Sequence, residues 1–434
     1  MNVGFISTRL AGTDGVSLET AKWATVLRDM GHQVFYCAGE LDPGGPSGRL
    51  IPEMHFDHPL AAALGARAFG STTSDPTLLD DILDDIAAAA VPLCAGLLDF
   101  ISEFCIDLLI PQNIMAIPMQ LPLGQAIGQV VEETGLLTIA HNHDFYWERE
   151  RFRVNCIQEF LDTYFPFSAP NLRHVVINSL GQRDLKARRG LDSIVVPNVF
   201  DFATGAVEGR PGVDDFNADL RESIGLSDND LFILQPTRVV ARKGIELSIE
   251  LLRRLDDPRC KLVITHHAGD EGLDYLYKLQ AMADEAGVDL RYEADRFDPT
   301  RRIEPDGRKV YALWDAYVHA DFVTYPSLIE GFGNALIEAV YFRCPTLVNR
   351  YPVYAADIGP LGFDFVEIDG KITDRAVAQV RDLLADPARR KQMVEHNYRL
   401  GQEHFSFEKL RELLQGLLEV SHGKNPYFHR HRAR

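Results

Sequence analysis

Two acids, Glu330 and Glu338, flank a glycine-rich turn that contains Gly331, Phe332, Gly333 and Asn334. Glycines there let backbone approach a ligand closely. The pattern after Asn334 predicts a helix start, whose free N–H groups and positive dipole end can receive a phosphate. A carboxylate before that start, and another about a turn and a half inside it, can accept hydrogen bonds from neutral hydroxyls. Taken alone, Glu338 reads more readily as an ordinary surface acid of a helix. A second stretch, residues 235–244, places Arg238, Arg242 and Lys243 ahead of Gly244. Arginine binds phosphate oxygens bidentately and lysine supplies a point charge, so this is a diphosphate site or, equally, a solvated basic loop.

The first half of the chain offers two more polar clusters. Residues 141–149 hold His141, His143, Asp144 and Arg149, more polar groups than a core needs. A metal site built on His141 and His143 lacks an obvious third ligand. Arg149 could reach a phosphate or carboxylate, or simply pair with Glu148 or Glu150. The loop Thr8–Ser17 contains Arg9, Gly12, Asp14 and Gly15, with Ser17 as a candidate helix N-cap. Its Gly12-x-x-Gly15 spacing is not a dinucleotide fingerprint, although Glu40 after the second strand keeps a nicotinamide reading open. Asn198 and Asp201 read as turn formers.

The elements that position these residues follow from periodicity. Short apolar, β-branched runs alternate with helical patterns. Strands are expected at Val3–Ser7, Gln33–Ala38, Asp107–Pro111, Leu137–Ala140, His174–Asn178 and Ile194–Pro197. In the second half they are expected at Leu231–Gln235, Lys261–Thr265, Leu290–Glu293, Asp321–Tyr325, Thr346–Asn349 and Asp364–Ile368. Near-continuous apolar strands separated by helices imply parallel sheets covered on both faces. The fold class is therefore α/β, with two doubly wound, Rossmann-like domains in tandem. Expected boundaries are 1–205 for the first domain, a linker at 206–230, a second domain at 231–410, and a terminal helix and tail at 411–434. The helix itself is read over Phe407–Val420, behind Ser406. Asp80–Phe104 reads as one or two alanine-rich acidic surface helices.

In such sheets ligands bind beyond the carboxyl ends of the strands, where the clusters above fall. Composition narrows the partners. With 434 residues, 46% hydrophobic and 25% charged, and a net charge of −19, the chain is unsuited to coating nucleic acid or an anionic membrane. Its six cysteines are scattered, with no C-x-x-C pair, and the N-terminus lacks a signal-peptide pattern. No uninterrupted apolar run suggests a membrane span. A cytoplasmic protein without stable membrane association is the expectation; a homodimer stays open. The basic tail Lys424–Arg434 reads as a solvated terminus.

The pair Arg238 and Lys243, followed by Glu330 and Glu338 as Glu-x7-Glu, resembles the retaining nucleotide-sugar glycosyltransferases of family four. The resemblance covers nearly the whole chain. It implies the GT-B fold, with two domains facing a cleft and a C-terminal helix crossing back to the first. It further implies that Arg238 and Lys243 bind the donor diphosphate, that Glu330 contacts the transferred sugar and that Glu338 contacts the ribose, with Gly331, Phe332, Gly333, Asn334 and Gly15 also at the donor. His143, paired with Asp144, matches a histidine that contacts the donor sugar. Arg9, Asp14, His141, Asp144 and Arg149 are candidate acceptor contacts, with His141 also the reserve for the donor-sugar histidine. His266-His267 stands where many members have a glycine-rich strand end. With no convincing Asp-x-Asp motif, the expected catalyst needs no metal and no cofactor. It would move a hexose from a nucleotide diphosphate sugar to a small soluble acceptor: a sugar, sugar phosphate, polyol or glycerate derivative. The Gly-Thr-Asp-Gly-Val-Ser loop is similar to that of synthases making small glycosides of the mannosylglucosylglycerate or sucrose type. A GT-B phosphorylase, a nucleotide-sugar epimerase and a non-catalytic sugar-nucleotide sensor are the alternatives.

Overall fold

The computed structural model describes residues 1–12, 14–73, 75–203, 212–268 and 272–422. Two compact units emerge, Met1–Asn198 joined by the C-terminal helix Phe407–His422, and Val199–Ser406. Each is built on a parallel sheet whose strands alternate with helices.

The first unit contains strands β1 (Asn2–Ser7), β2 (Gln33–Ala38), β3 (Gly48–Leu50), β4 (Leu108–Pro111), β5 (Leu137–Asn142), β6 (Leu172–Val176) and β7 (Ser193–Val195). Their order is β3-β2-β1-β4-β5-β6-β7. Every residue of β4 and β5 is buried, the mark of a sheet covered on both faces. The order reverses between β1 and β4, which pair Val3 with Leu108 through Ile6 with Pro111. That reversal is a topological switch point, and the loops leaving β1 and β4 open there.

The second unit contains β8 (Leu231–Gln235), β9 (Cys260–Ile264) and β10 (Asp289–Tyr292). A small sheet follows from β11 (Phe297–Asp298), β12 (Arg302–Ile303) and β13 (Lys309–Ala312). Then come β14 (Phe322–Tyr325), β15 (Thr346–Asn349) and β16 (Val366–Ile368). The main sheet runs β10-β9-β8-β14-β15-β16, so its switch point lies between β8 and β14. Each of the twelve expected strands is present, with ends moved by up to two residues. The strand expected at His174–Asn178 is Leu172–Val176, and the one expected at Ile194–Pro197 is Ser193–Val195. Strands β3 and β11–β13 were not expected. They are two to four residues long, too short for alternation to show.

Two expectations change. Residues 212–230, read as part of a linker, pack into the second unit. Leu220 and Asn217 are fully buried, and Asn217 donates to Asp315 at 2.8 Å. Arg221 binds Asp321 at 3.1 Å and the carbonyls of His319 and Asp230. Glycines and acids suggested a loose segment because the ion pairs that hold it come from distant residues. The part of the expected linker at 204–211 and the tail 423–434 lie outside the described residues. The terminal helix begins at Phe407, where it was read, so the second unit ends at Ser406 and not at 410; the helix buries Leu410, Leu414 and Leu417, with Arg411 reaching Asp29 of the helix Gly15–Asp29 at 3.7 Å.

The acidic, alanine-rich stretch is one helix, Pro76–Glu103. Its length and composition meet the requirement for crossing a membrane. Its uninterrupted apolar run extends only from Ile86 to Leu98, between Asp85 and Asp99, shorter than a span needs without a charge. One stripe, Ile82, Ile86, Ala90, Leu93, Leu97 and Phe100, is buried in the core of the first unit. Packing of this kind predicts that Leu97→Ala costs about 2–5 kcal/mol in urea unfolding. Val91→Asp, at a position 67% exposed, changes stability by less than about 0.5 kcal/mol.

Candidate functional site

At the switch point of the second unit, the end of β8 is fixed by a buried amide. Gln235 accepts from Ser248 at 2.8 Å and from Thr324 at 2.9 Å, and donates to Thr237 at 2.9 Å. These bonds join β8, the helix Ile245–Leu255 and β14, and they set the start of the cationic loop. Gly244 then takes φ +61°. A Cβ at Gly244 would lie 2.6 Å from the Pro326 carbonyl, so only glycine lets this loop close against the one after β14. The approach is sealed by a bond from the Leu328 N–H to the Arg242 carbonyl, 2.8 Å.

Closure brings two charges together. Lys243 Nζ lies 2.5 Å from Glu330 Oε1, with both side chains about nine-tenths buried. Arg242 Nη1 stands 3.6 Å from the other Glu330 oxygen. Burial pushes the Glu330 carboxyl up. The Lys243 ammonium, by its charge and its hydrogen bond, overcomes that and holds it below its ordinary range. Burial also lowers the Lys243 ammonium, against the pull of Glu330 and with the help of Arg242 and Arg238. Arg238 is exposed on the same loop.

Beyond Glu330 the turn climbs to the helix Asn334–Tyr341. Gly333 precedes it at φ +119°, and a Cβ there would sit 2.3 Å from the Tyr351 hydroxyl. That hydroxyl donates to the Phe332 carbonyl at 2.7 Å. Gly333, its N-cap, brings no side chain of its own, and the positive end of the helix dipole faces the turn. Gly331 is exposed and Asn334 half-buried. Phe332, expected at the donor, is 3% exposed and turns its ring into the core against Phe405. Glu338 accepts from the Tyr317 hydroxyl at 2.8 Å. His266, at the end of β9, joins the cations. Burial pushes its imidazole down to about 4, and the charges of Lys243 and Arg238 add to the effect. His267 is exposed, with Asp295 at 3.8 Å.

In the first unit, Asp14 is the N-cap of the helix Gly15–Asp29. It accepts from the Val16 and Ser17 N–H groups and from the Ser17 hydroxyl, and pairs with Arg9 at 3.2 Å. Ser17, expected as the cap, is a donor to it. A Cβ at Gly15 would meet open space. After β5, Arg149 binds Asp144 at 2.5 Å and not Glu148 or Glu150. His141 is fully buried, stacked on Trp23 at 4.2 Å with Nδ1 on Gln112 at 3.0 Å. That enclosure removes it from the surface an acceptor could touch. Its ring lies 4.5 Å from that of His143, and among the described residues no group of three metal-ligating side chains forms around them. His143 Nε2 is buried with no hydrogen-bond partner among the described residues. Asp201 accepts from the Ala203 N–H at 3.0 Å, the turn chemistry expected of it.

Comparison with known proteins gives this geometry a context. The chain is 34% identical over 392 residues to a mannosylglucosylglycerate synthase of Petrotoga mobilis, covering 86% of this chain and 87% of that one. It is 32% identical over 445 residues to a mannosylglucosylglycerate synthase of Thermotoga maritima, covering 95% and 99%. Residues 216–400 match the family described as glycosyl transferases group 1. The chain belongs to the group 1 glycosyltransferases. Among solved structures, Anabaena HepE in complex with UDP and glucose aligns with a TM-score of 0.64 at 12% identity, over 96% of this chain and 99% of that one. The two Rossmann-like units are those of the GT-B fold.

For this group 1 glycosyltransferase, the structure brings Arg238, Lys243, Glu330, Gly331 and Asn334 to one switch point, and Arg9, Asp14, Gly15, His143, Asp144 and Arg149 to the strand ends of the first unit. Sequence reasoning gave no role to Gln112 or Asn113, and left that of His266 open. All three stand one or two positions beyond strand ends, the signal that could have singled them out.

Buried imidazoles make stability pH-dependent. Burial pushes His174 down to about 4 and His141 well below its usual 6.5. Between pH 6.5 and 4 the unfolded chain binds these protons and the folded chain does not, so stability falls as pH falls through that window. Melting temperatures from pH 7 to pH 4 should show the decline, and His174→Gln should flatten it.

Proposed function

We propose that this glycosyltransferase moves a hexose, with retention, from a nucleotide diphosphate sugar to a hydroxyl of a small soluble glycerate derivative. The contact of Lys243 with Glu330 at the β8/β14 switch point, beside Arg238, carries the reading. In it, Arg238, Lys243 and the N-terminal end of the helix Asn334–Tyr341 stabilise charge developing on the departing diphosphate, without a metal or cofactor. Glu330 and His143 hold the transferred sugar and Glu338 holds the ribose. The bond from the anomeric carbon to the diphosphate oxygen breaks as the acceptor oxygen bonds to that carbon on the same face. The acceptor proton passes to the departing phosphate oxygen.

The printed name of the two relatives supports an acceptor of the glycerate-glycoside class, with Arg9 and Arg149 as candidate partners for its carboxylate. UDP and glucose in the HepE complex support a nucleotide-sugar donor. Six free cysteines support a reducing, cytoplasmic setting.

A thermal-shift screen of nucleotide sugars should give one stabilising donor, because binding raises the melting temperature by mass action. Product analysis with that donor against glucosylglycerate, glycerate, sugar phosphates and polyols should give a glycerate glycoside. Absence of any shift or product would overturn the proposal. Glu330→Gln should lower kcat/KM by roughly 100-fold, the scale of losing one preorganised polar group, with the fold retained. Lys243→Ala should raise the donor KM or lower kcat; wild-type kinetics in either variant would remove that residue from the site.

A further inference from the structure

The turn after β5 is held from the neighbouring strand by a single side chain. Asn113 follows the end of β4 and adopts φ +59°, a left-handed conformation that asparagine tolerates better than other side chains. Its backbone N–H donates to the His141 carbonyl at 2.8 Å. Its side-chain oxygen accepts from the His143 N–H at 2.9 Å and from the Asp144 N–H at 3.4 Å. Its side-chain amide donates to Asp144 Oδ1 at 2.9 Å. One residue thereby grips His141, His143 and Asp144 by both its amide ends and its backbone. Asp144 is then clamped on its other oxygen by Arg149. Gln112, one position earlier, fixes the His141 ring, which stands beside the His143 ring as a wall.

His143 itself has a buried Nε2 with no hydrogen-bond partner among the described residues. The His141 ring bounds one side of it at 4.5 Å. The bonds that set the turn's direction come from Asn113. We propose that Asn113 is a positioning residue for sugar transfer, acting through His143 by fixing the backbone from which that imidazole projects. This inference rests on the reading of His143 as a contact of the transferred sugar.

The test is a double-mutant cycle in the full chain. Asn113→Gly keeps the left-handed backbone accessible and deletes only the side-chain bonds. It is measured alone, with His143→Ala, and against His143→Ala alone, reading kcat, donor KM and melting temperature. Asn113→Gly should lower kcat/KM by about 10- to 100-fold in the wild-type background, the effect of a small misplacement of a reacting group. In the His143→Ala background the same change should move kcat/KM by less than about 2-fold, because the group it positions is gone. Equal losses in both backgrounds, or wild-type kinetics for Asn113→Gly beside an impaired His143→Ala, would overturn the positioning role and leave the reading of His143 standing. Wild-type kinetics for His143→Ala would overturn both. Asn113→Ser, which keeps an acceptor oxygen but loses the amide donor, should recover part of the activity while its melting temperature stays with that of Asn113→Gly.

Discussion

A lysine and a glutamate meeting out of water, at the point where a parallel sheet reverses its order, constrain much of the second unit. Neither charge tolerates that burial alone, since removing the partner of a buried ion leaves a cost of several kcal/mol. The chain must therefore deliver both side chains to one place from loops 87 residues apart. Gly244 gives the first loop its left-handed bend and its close approach to the Pro326 carbonyl. Gln235 ties the strands and the helix beneath it. Tyr351 closes the space under Gly333. Each of these is ordinary by itself, and together they place a cation pair beside a carboxylate at the N-terminal end of a helix.

The first unit meets a similar problem at its strand ends with partly exposed ion pairs. Its polar groups at the strand ends are partnered locally: Asp14 with a helix end and Arg9, Asp144 with Arg149 and Asn113. Burial keeps His141, His143 and His174 neutral. A neutral imidazole can donate and accept hydrogen bonds without adding charge, which suits contact with hydroxyl-rich molecules.

Much of this was legible in the residues. Apolar runs located the long strands because a doubly covered sheet demands them, and strand ends then pointed to Arg238, Lys243, Glu330 and His143. What stayed hidden depends on contacts between distant segments. No local pattern says that Lys243 touches Glu330, because sheet order and Gly244 decide it. Phe332 stands between two glycines in a turn, yet Phe405 draws it into the core. Ser17 looked like the helix cap because serine favours that place, but the helix starts a turn earlier, where Asp14 holds the Val16 and Ser17 N–H groups with a full charge. Residues 212–230 read as loose because the partners that bury them, Asp315, Asp321 and Arg301, lie about a hundred residues on.

The bond between Glu338 and the Tyr317 hydroxyl has a further consequence. A free glutamate on a helix samples several rotamers, and a ligand that captures it must freeze them. Here the phenol makes that choice during folding, and Tyr317 is itself immobile in the core. In the proposed role, a ribose hydroxyl reaching Glu338 meets a carboxylate whose direction is already set. The loss of side-chain freedom is incurred once, when the protein folds, and is not repeated each time a ligand binds and leaves.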